Sequence, residues 1–334
     1  MKISETDWIL KNLPPFHEIK LNGEADFYGI SHIIASKLKK NSPPRSFATW
    51  IHGWLFPEKI IKPEQILFYE GIFKTHLVAN QFQVEALKNF GVHNVEAVGL
   101  PFIYSDNIQV LRNEGSLLVV PPHSLTYTKH NWNQKEYVNE ICSLKPYFST
   151  IVACLYSACI SNGYWVREFT DAGIPYIIGA SVNDKNALIR MHSIFRSFEY
   201  MTTNSLGSHI VYAAYCGCKV SFFGKYQQFT REDAKYDPYY IKHPELIDLW
   251  LELTKESYIR TKLPHLFVPP QEALEMTEWA GKMIGLEYKR SPEVIADLMG
   301  WTKVDQFTYF SRLLRDYIKK PELTTRILKK LTKR

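Results

Sequence analysis

Five nearly continuous apolar runs, separated by segments of helical length, constrain the fold of this chain more than any other feature. The runs do not alternate between apolar and polar residues, which predicts strands buried on both faces, as in a parallel sheet covered by helices. The intervening segments, such as 164–172 and 186–198, have the length that right-handed crossovers require. The runs occupy residues 116–124, 149–160, 174–181, 200–204 and 218–224.

The chain before residue 111 repeats this pattern less regularly. A helix over residues 81–91 should end at Gly91, which suits the left-handed position that follows a helix. Beyond residue 224, we expect short helices, one of them with Ser291 as N-cap and Pro292 in its first turn. Strand-like segments of the first part occupy residues 46–54, 65–71, 75–80 and 95–104.

The sequence therefore predicts an α/β protein with two Rossmann-like domains that face each other across a cleft. With 334 residues, of which 46% are hydrophobic, the chain can build two cores. We predict a first domain over residues 1–110, a second over 111–300 and a helical C-terminal extension over 301–334.

Composition also bounds the location of the protein. The sequence contains no apolar run of about 18 residues and no apolar core of a signal peptide near its N-terminus, so we expect a cytoplasmic protein. The five cysteines are odd in number and lack the paired spacing of a zinc site. We interpret them as buried free thiols.

The C-terminal stretch carries most of the excess positive charge. The net charge is +6, and residues 312–334 hold nine Lys and Arg against two acids. Apolar residues recur in this stretch at helical spacing, which predicts an amphipathic basic helix that could bind the anionic inner face of a membrane. A terminal helix packed by its apolar stripe is the alternative. No nucleic-acid-binding motif accompanies the basic residues, so we expect no nucleic-acid partner.

Polar side chains follow three of the predicted strands. Ligands of such sheets bind beyond the carboxyl ends of the strands. His123 and Ser124 follow the first run, and Ser181 ends the third. There, main-chain N–H groups and a histidine could hold a phosphate. A loop histidine beside a proline turn is the alternative for His123.

The segment 202–209 predicts the start of a helix that could bind an anion. Ser205 could cap that helix, Gly207 allows a ligand to approach the main chain, and Ser208 and His209 fall in the first turn. Together with Thr203, these residues offer N–H groups and the positive end of a helix dipole. Helix capping without a ligand is the alternative.

The first half contains two candidate bases. His52 precedes Gly53 at the end of a predicted strand, so it should project into the cleft, where imidazole suits proton transfer at neutral pH. Glu70, at the next predicted strand end, is a second base or a partner that orients His52. A structural histidine between Trp50 and Trp54, and a solvent-facing glutamate, are the alternatives.

Several familiar catalytic motifs are absent from the sequence. It has neither the G-x-G-x-x-G of dinucleotide enzymes nor the P-loop of NTPases. It also lacks the G-x-S-x-G of hydrolases and the H-E-x-x-H of zinc peptidases. No D-x-D pair is present to hold a divalent cation. We therefore expect a mechanism without a metal and without a cofactor.

Several of these segments resemble GT-B glycosyltransferases of bacterial surface polysaccharide assembly, such as capsule and lipopolysaccharide. The resemblance rests on WIHGW, the segment 76–104 and above all MTTNSLGSHIVYAAYCGCKVSFFG. The last is similar to the strand–helix–strand unit of the family's sugar-donor site. PPHS resembles the His-Pro element of sialyltransferase-like and Kdo-transferase-like enzymes, with Ser124 in place of the proline. His209 stands near the position of a glutamate that the family often has.

The resemblance implies transfer of a sugar from a nucleotide-sugar to a glycan or lipid-linked acceptor. The first domain would bind the acceptor and the second the nucleotide-sugar. His52 or Glu70 would deprotonate the acceptor hydroxyl. His123 and the helix start at 205–208 would stabilise the leaving phosphate, and the basic tail would hold the enzyme at the inner membrane face.

Two other functions remain open at this point. A sugar-nucleotide epimerase or a polyol-phosphate polymer transferase would use the same two-domain fold. A non-catalytic glycan-binding module of GT-B type would keep the fold without chemistry.

Overall fold

The computed structural model describes residues 6–56, 60–68, 73–105, 109–124, 130 and 132–318. They form two parallel sheets with helices packed around them, which confirms the predicted α/β class. The first sheet has three strands in the order β1-β2-β3, and the second has five in the order β6-β5-β4-β7-β8. The strands are β1 (Ala48–Trp50), β2 (Thr75–Val78), β3 (Val95–Ala97), β4 (Asn113–Val119), β5 (Thr150–Leu155), β6 (Tyr176–Ile178), β7 (Phe198–Thr203) and β8 (Lys219–Phe222).

The continuous apolar runs form the second sheet, as predicted. Every pair of neighbouring strands in it is parallel. Leu117, Leu118 and Val119 of the central strand are fully buried although successive side chains point to opposite faces. Burial on both faces explains why this strand shows no alternation.

Several predicted strands are shorter in the structure, and the segment predicted as a strand over 95–104 ends in the 3-10 helix Pro101–Tyr104. The run 149–160 is a strand only as far as Leu155, and helix α5 begins at Ser157. The strand predicted over 65–71 is wrong for its described part, because Pro63–Gln65 is a 3-10 helix. There the Gln65 side chain accepts N–H bonds from Ile61 and Lys62. This local pairing satisfies main-chain groups that a strand would bond to a neighbour.

The order of the second sheet creates a binding crevice. From the central strand β4, the chain adds β5 and β6 on one side and then β7 and β8 on the other. Where the direction of winding reverses, the loops that follow β4 and β7 leave in opposite directions. Residues 120–124 and 204–207 occupy these two loop positions, which is where ligands of such sheets bind.

Helices cover both sheets. The predicted helix before Gly91 is present, and Gly91 has the expected positive φ of 82°. Ser291 caps its helix through the Val294 N–H, also as predicted. The helices are α1 (Asp7–Leu10), α2 (Ile30–Lys37), α3 (Gln81–Asn89), α4 (Gln134–Cys142), α5 (Ser157–Ser161), α6 (Val166–Asp171), α7 (Ala187–Ser197), α8 (Ser208–Tyr215), α9 (Arg231–Ala234), α10 (Pro238–Lys242), α11 (Ile247–Thr254), α12 (Glu256–Lys262), α13 (Thr277–Met283), α14 (Pro292–Leu298) and α15 (Lys303–Ile318).

The C-terminal segment returns to the first sheet after it has packed on the second. Helix α13 contacts α8, and α14 contacts α2. The Leu100 N–H donates to the Ile284 carbonyl at 2.9 Å. A Cβ on Gly285 would lie 1.9 Å from the Ala79 carbonyl oxygen, so only glycine allows this close approach. Buried residues on one face of the second sheet share a core cluster with the first sheet, and those on the other face form a second cluster.

Helix α15 also packs on the first sheet at its start. The Tyr309 ring stacks on Phe47 at 5.2 Å, and Lys74 bonds to Asp305 at 2.8 Å. Most of the basic residues of the predicted tail, from Lys319 onward, lie outside the described residues. The domain boundaries at 110 and 300 stay a prediction.

The cysteines match the prediction of free thiols. All five are free, and only Cys142 is partly exposed. Within the described ranges, no helix is both long and apolar enough to cross a membrane.

Candidate active site

A cleft between the two sheets brings together four of the predicted site residues. His52 enters it from the first half, and His123, Ser208 and His209 enter it from the second. The cavity at this place has a volume of about 260 Å³. That is slightly below the roughly 300 to 1,000 Å³ of usual ligand pockets, so a nucleotide-sized ligand would extend into the open part of the cleft.

The His52 side chain is oriented by a buried carboxylate. Its Nδ1 lies 3.3 Å from Oε1 of Glu24, whose side chain is 1% exposed whereas that of His52 is 30% exposed. Glu24 begins the 3-10 helix Glu24–Gly29, which packs against β1. With Nδ1 engaged by Glu24, the second ring nitrogen, Nε2, is the one that can exchange a proton with a ligand.

Burial raises the pKa of Glu24, while the hydrogen bond and charge of His52 partly offset that rise. A main-chain hydrogen bond from Trp50 acts in the same direction as His52. The carboxylate is therefore most stable when the neighbouring imidazole carries a proton. This coupling is what a histidine base needs at the moment when it accepts a proton.

The segment that carries Glu24 has an unusual main chain. Tyr28, which also lines the cleft, has a φ of 56°, and Gly29 has a φ of 80°. A Cβ on Gly29 would lie 1.8 Å from the Lys185 carbonyl oxygen, so the main chain of the second half is in close contact with this turn. Positive φ at a tyrosine costs on the order of 1 kcal/mol or more and is often found at functional sites.

The N-cap of helix α8 lies two residues later than predicted. Its N-cap is Gly207, in an extended conformation, and Ser208 and His209 form the first turn. Ser205 is not the cap, which corrects the prediction. Its N–H instead donates to Thr203 Oγ1 at 3.3 Å, in a local turn that leaves Ser205 2% exposed.

The start of α8 also contacts the first half of the molecule. Ser208 Oγ accepts a hydrogen bond from the Trp54 N–H at 2.8 Å. A Cβ on Gly53 would lie 3.2 Å from the same oxygen. The Tyr212 hydroxyl donates to the His52 carbonyl at 2.8 Å. Ser208 and Tyr212, on successive turns of α8, therefore hold the WIHGW segment against the second half through one hydrogen bond each.

His209 is a neutral histidine. Its Nε2 lies 3.0 Å from Thr203 Oγ1, and burial together with the nearby His123 lowers its pKa to about 3. A Cβ on Gly207 would lie 2.8 Å from the His209 ring, so a glycine is needed where the ring folds back over the helix start. Thr203 therefore acts as a support for His209 and does not line the cavity.

His123 is exposed to the cleft beside Tyr156, with 5.4 Å between the ring centroids. Desolvation by the surrounding protein, and next the charge of His130, lowers its pKa. The lowered pKa favours the neutral ring, which can donate one hydrogen bond to a ligand. The adjacent Ser124 is fully buried, with its N–H 3.1 Å from Cys159 Sγ, so it does not line the cavity.

The remaining predicted residues do not meet in the cavity. The Ser181 hydroxyl donates to Asn183 Oδ1 at 2.7 Å, and the cavity wall at this strand end consists of Gly179 and Ala180. Gly207 does not line the cavity, but its neighbour Ser208 does. Glu70 lies outside the described residues.

Sequence reasoning missed Glu24 and the tyrosines of the cleft. Glu24 and Tyr28 share one 3-10 helix, Tyr156 and Tyr212 come from two further segments, and no motif or spacing links them to His52. The sequence contained only a weak signal for the first of them, an acid directly after Gly23 in an irregular segment. Among the described side chains, no group of three or more His, Cys, Asp or Glu could hold a metal ion.

The chain is similar to several solved structures but matches no protein-family model and no curated protein. Among solved structures it is similar to S. aureus TarM, in a complex with fondaparinux, alpha-GlcNAc-glycerol and UDP, with 11% identity over 76% of this chain and a TM-score of 0.32. The alignment spans 52% of that protein.

Two further solved structures are similar. The UDP-GlcNAc 2-epimerase of Methanocaldococcus jannaschii has 12% identity, a TM-score of 0.37 and coverage of 81% of this chain and 74% of the epimerase. The pneumococcal O-GlcNAc transferase GtfA, in a complex with UDP and GlcNAc, has 13% identity, a TM-score of 0.34 and coverage of 78% of this chain and 52% of GtfA. The chain thus spans about half of the length of the two transferases.

Proposed function

We propose that this protein is a glycosyltransferase that uses a nucleotide-sugar. One observation carries the proposal: a histidine oriented by a buried carboxylate in one half faces a helix N-terminus at the switch point of the other half. The first element suits removal of a proton from a hydroxyl. The second suits a phosphate.

His52 takes the role of general base. Its Nε2 accepts the proton of an acceptor hydroxyl while Glu24 holds Nδ1 and stabilises the imidazolium that forms. The acceptor oxygen then bonds to the anomeric carbon of the sugar. The bond between that carbon and the phosphate oxygen breaks, and its electron pair leaves with the nucleotide.

Helix α8 and His123 take the role of leaving-group stabilisers. The first turn of α8 offers main-chain N–H groups and the positive end of its dipole. His123 adds a ring N–H group, whereas the His209 ring is bonded to Thr203. Because no D-x-D pair is available, we propose that this set works without a metal.

The finer parts of the proposal concern the acceptor and the location. We propose a glycan or lipid-linked acceptor of surface polysaccharide assembly, with the sialyltransferase-like or Kdo-transferase-like subtype suggested by PPHS. The basic residues beyond Ile318 would bind the inner membrane face by charge, at about 1 kcal/mol for each Lys or Arg near the surface.

Nucleotide binding followed by an acceptor test decides the proposal. The full-length protein is screened by thermal shift against UDP, CMP, GDP and dTDP, where a nucleotide at 100 times its Kd adds about 2.7 kcal/mol of stability. The nucleotide-sugar of the bound nucleotide is then incubated with and without acceptor glycans. Release of nucleotide that depends on an acceptor supports a transferase. Conversion of the nucleotide-sugar without an acceptor identifies an epimerase, and no binding of any nucleotide contradicts the proposal.

A further inference from the structure

A second cavity lies beside the cleft, between the first sheet and helices α10 and α11. Its volume is about 260 Å³, similar to that of the cleft. Six of its lining residues are aromatic and six are Leu or Ile. We call it the aromatic pocket. It is lined by Trp54, Leu55, Phe56, Ile60, Gln65, Phe68, Leu206, Gly207, Tyr239, Tyr240, Leu246, Leu249, Trp250, Leu253 and Thr254.

The aromatic pocket is continuous with the candidate active site. The Phe68 ring lies 6.5 Å from the His52 ring and 5.4 Å from the Tyr239 ring, measured between centroids. Gly53 and Ser208 line the cleft, while their direct neighbours Trp54 and Gly207 line the aromatic pocket. A ligand seated in this pocket would therefore have one end close to His52.

Three polar side chains of the pocket wall are already hydrogen-bonded within the protein. The Tyr239 hydroxyl donates to the Glu64 carbonyl at 3.1 Å. The Thr254 hydroxyl donates to the Trp250 carbonyl at 2.8 Å. Gln65 Oε1 accepts hydrogen bonds from two main-chain N–H groups. The rest of the wall is mostly apolar, and each sugar hydroxyl buried there without a partner would cost roughly 1 to 3 kcal/mol.

We infer that the aromatic pocket binds an apolar chain, and that this chain is the hydrophobic part of the acceptor. Leu206, Leu246, Leu249 and Leu253 match the shape and polarity of an alkyl or isoprenoid chain, and burial of such a chain is favourable in proportion to its area. The identity of the chain as part of an acceptor rests on the proposed function. The polar end of the acceptor then reaches His52 past Phe68.

Binding of neutral alkyl glycosides tests this inference without requiring turnover. Methyl, hexyl, heptyl and octyl glucoside are titrated as monomers into the full-length protein by calorimetry. The expected Kd falls by roughly fourfold for each methylene group that enters the pocket. Quenching of tryptophan fluorescence by a chain with a terminal bromine provides a second readout, because Trp54 and Trp250 line the pocket.

Phe68→Ser and Leu253→Gln are the test variants. Phe68 is 37% exposed and Leu253 is partly buried, so both substitutions are compatible with folding. Each should weaken octyl glucoside binding by tenfold or more and leave methyl glucoside unchanged. Phe82→Ser is the matched control, since Phe82 is 47% exposed on α3, outside the pocket wall.

Two outcomes would overturn the inference. Affinity that does not change from methyl to octyl glucoside means that the pocket does not bind the apolar chain. Equal losses in the Phe68 and Phe82 variants mean that binding is non-specific. Nucleotide binding, measured separately with UDP, distinguishes this failure from a failure of the proposed function.

Discussion

The two walls of the cleft hold their histidines in opposite ways. On the first wall, the Nδ1 atom of His52 contacts the buried carboxylate of Glu24. On the second wall, His209 contacts the hydroxyl of Thr203, and burial lowers its pKa to about 3. The same type of residue therefore has a charged partner on one wall and an uncharged partner on the other.

This difference shows that residue type alone does not define a role in a cleft. A histidine with a carboxylate partner gains stabilisation when it accepts a proton, whereas a desolvated histidine beside another histidine resists protonation. The three predictions below test the two walls and the contact between them.

The largest effect is expected on the first wall. His52→Gln should lower kcat by about 10² to 10⁴, the usual contribution of a general base, with little change in nucleotide affinity. Glu24→Gln should lower kcat less, by about tenfold to a hundredfold, because the amide still accepts a hydrogen bond but carries no charge. Steady-state kinetics and nucleotide titration measure both quantities.

His123→Gln serves as the control for the His52 and Glu24 variants. It lies on the opposite wall and should weaken nucleotide binding instead of turnover alone. Unchanged kcat in the His52 variant would show that the first wall provides no base. Loss of nucleotide affinity in the Glu24 variant would show that its role is not restricted to orienting His52.

An intermediate effect is expected from the neutral histidine of the second wall. The pKa of His209 is about 3 in the folded protein and about 6.5 in an unfolded chain. Between these values the unfolded state binds more protons, so the free energy of unfolding falls as pH decreases from 6.5 toward 3. The slope from one such group reaches at most about 1.4 kcal/mol per pH unit.

His209→Asn removes the titrating ring but keeps a side chain that can bond to Thr203. Urea unfolding at several pH values between 4 and 7 should therefore give a smaller slope for this variant than for the unchanged protein. His93→Asn, at an exposed position, should leave the slope unaltered. Equal slopes for the unchanged protein and His209→Asn would contradict the neutral state of His209.

The smallest effect is expected at the contact between the walls. Ser208→Ala removes the acceptor of the Trp54 N–H, and Trp54 is buried, so we expect a loss of about 1 kcal/mol or somewhat more in unfolding free energy. Ser161→Ala, at an exposed position of α5, should cost less than about 0.5 kcal/mol. Equal values for the two variants would mean that the contact adds nothing to stability.

The sequence was sufficient for the fold class and for part of the site. The strands of the second sheet could be found because central parallel strands are apolar on both faces, and the helix after Asn80 because it carries a capping residue and a terminal glycine. His52, His123, Ser208 and His209 could be placed because each follows a strand of a parallel sheet, and ligands of such sheets bind beyond the carboxyl ends of the strands. These signals depend on residues that are close in sequence, so they can be recognised without the tertiary structure.

Other features depended on which segments pack together. The sequence predicted Ser205 as the N-cap, but the Ser205 N–H bonds to Thr203 in a local turn and Gly207 is the N-cap. Glu24 reaches His52 from 28 residues away. The aromatic pocket combines residues of the first half with a segment more than 150 positions later. The residue pattern determined the strands and their order along the chain. The tertiary structure decided the hydrogen-bond partners, the burial and the pKa shifts of the site residues, because desolvation and hydrogen bonds depend on neighbours that are distant in sequence.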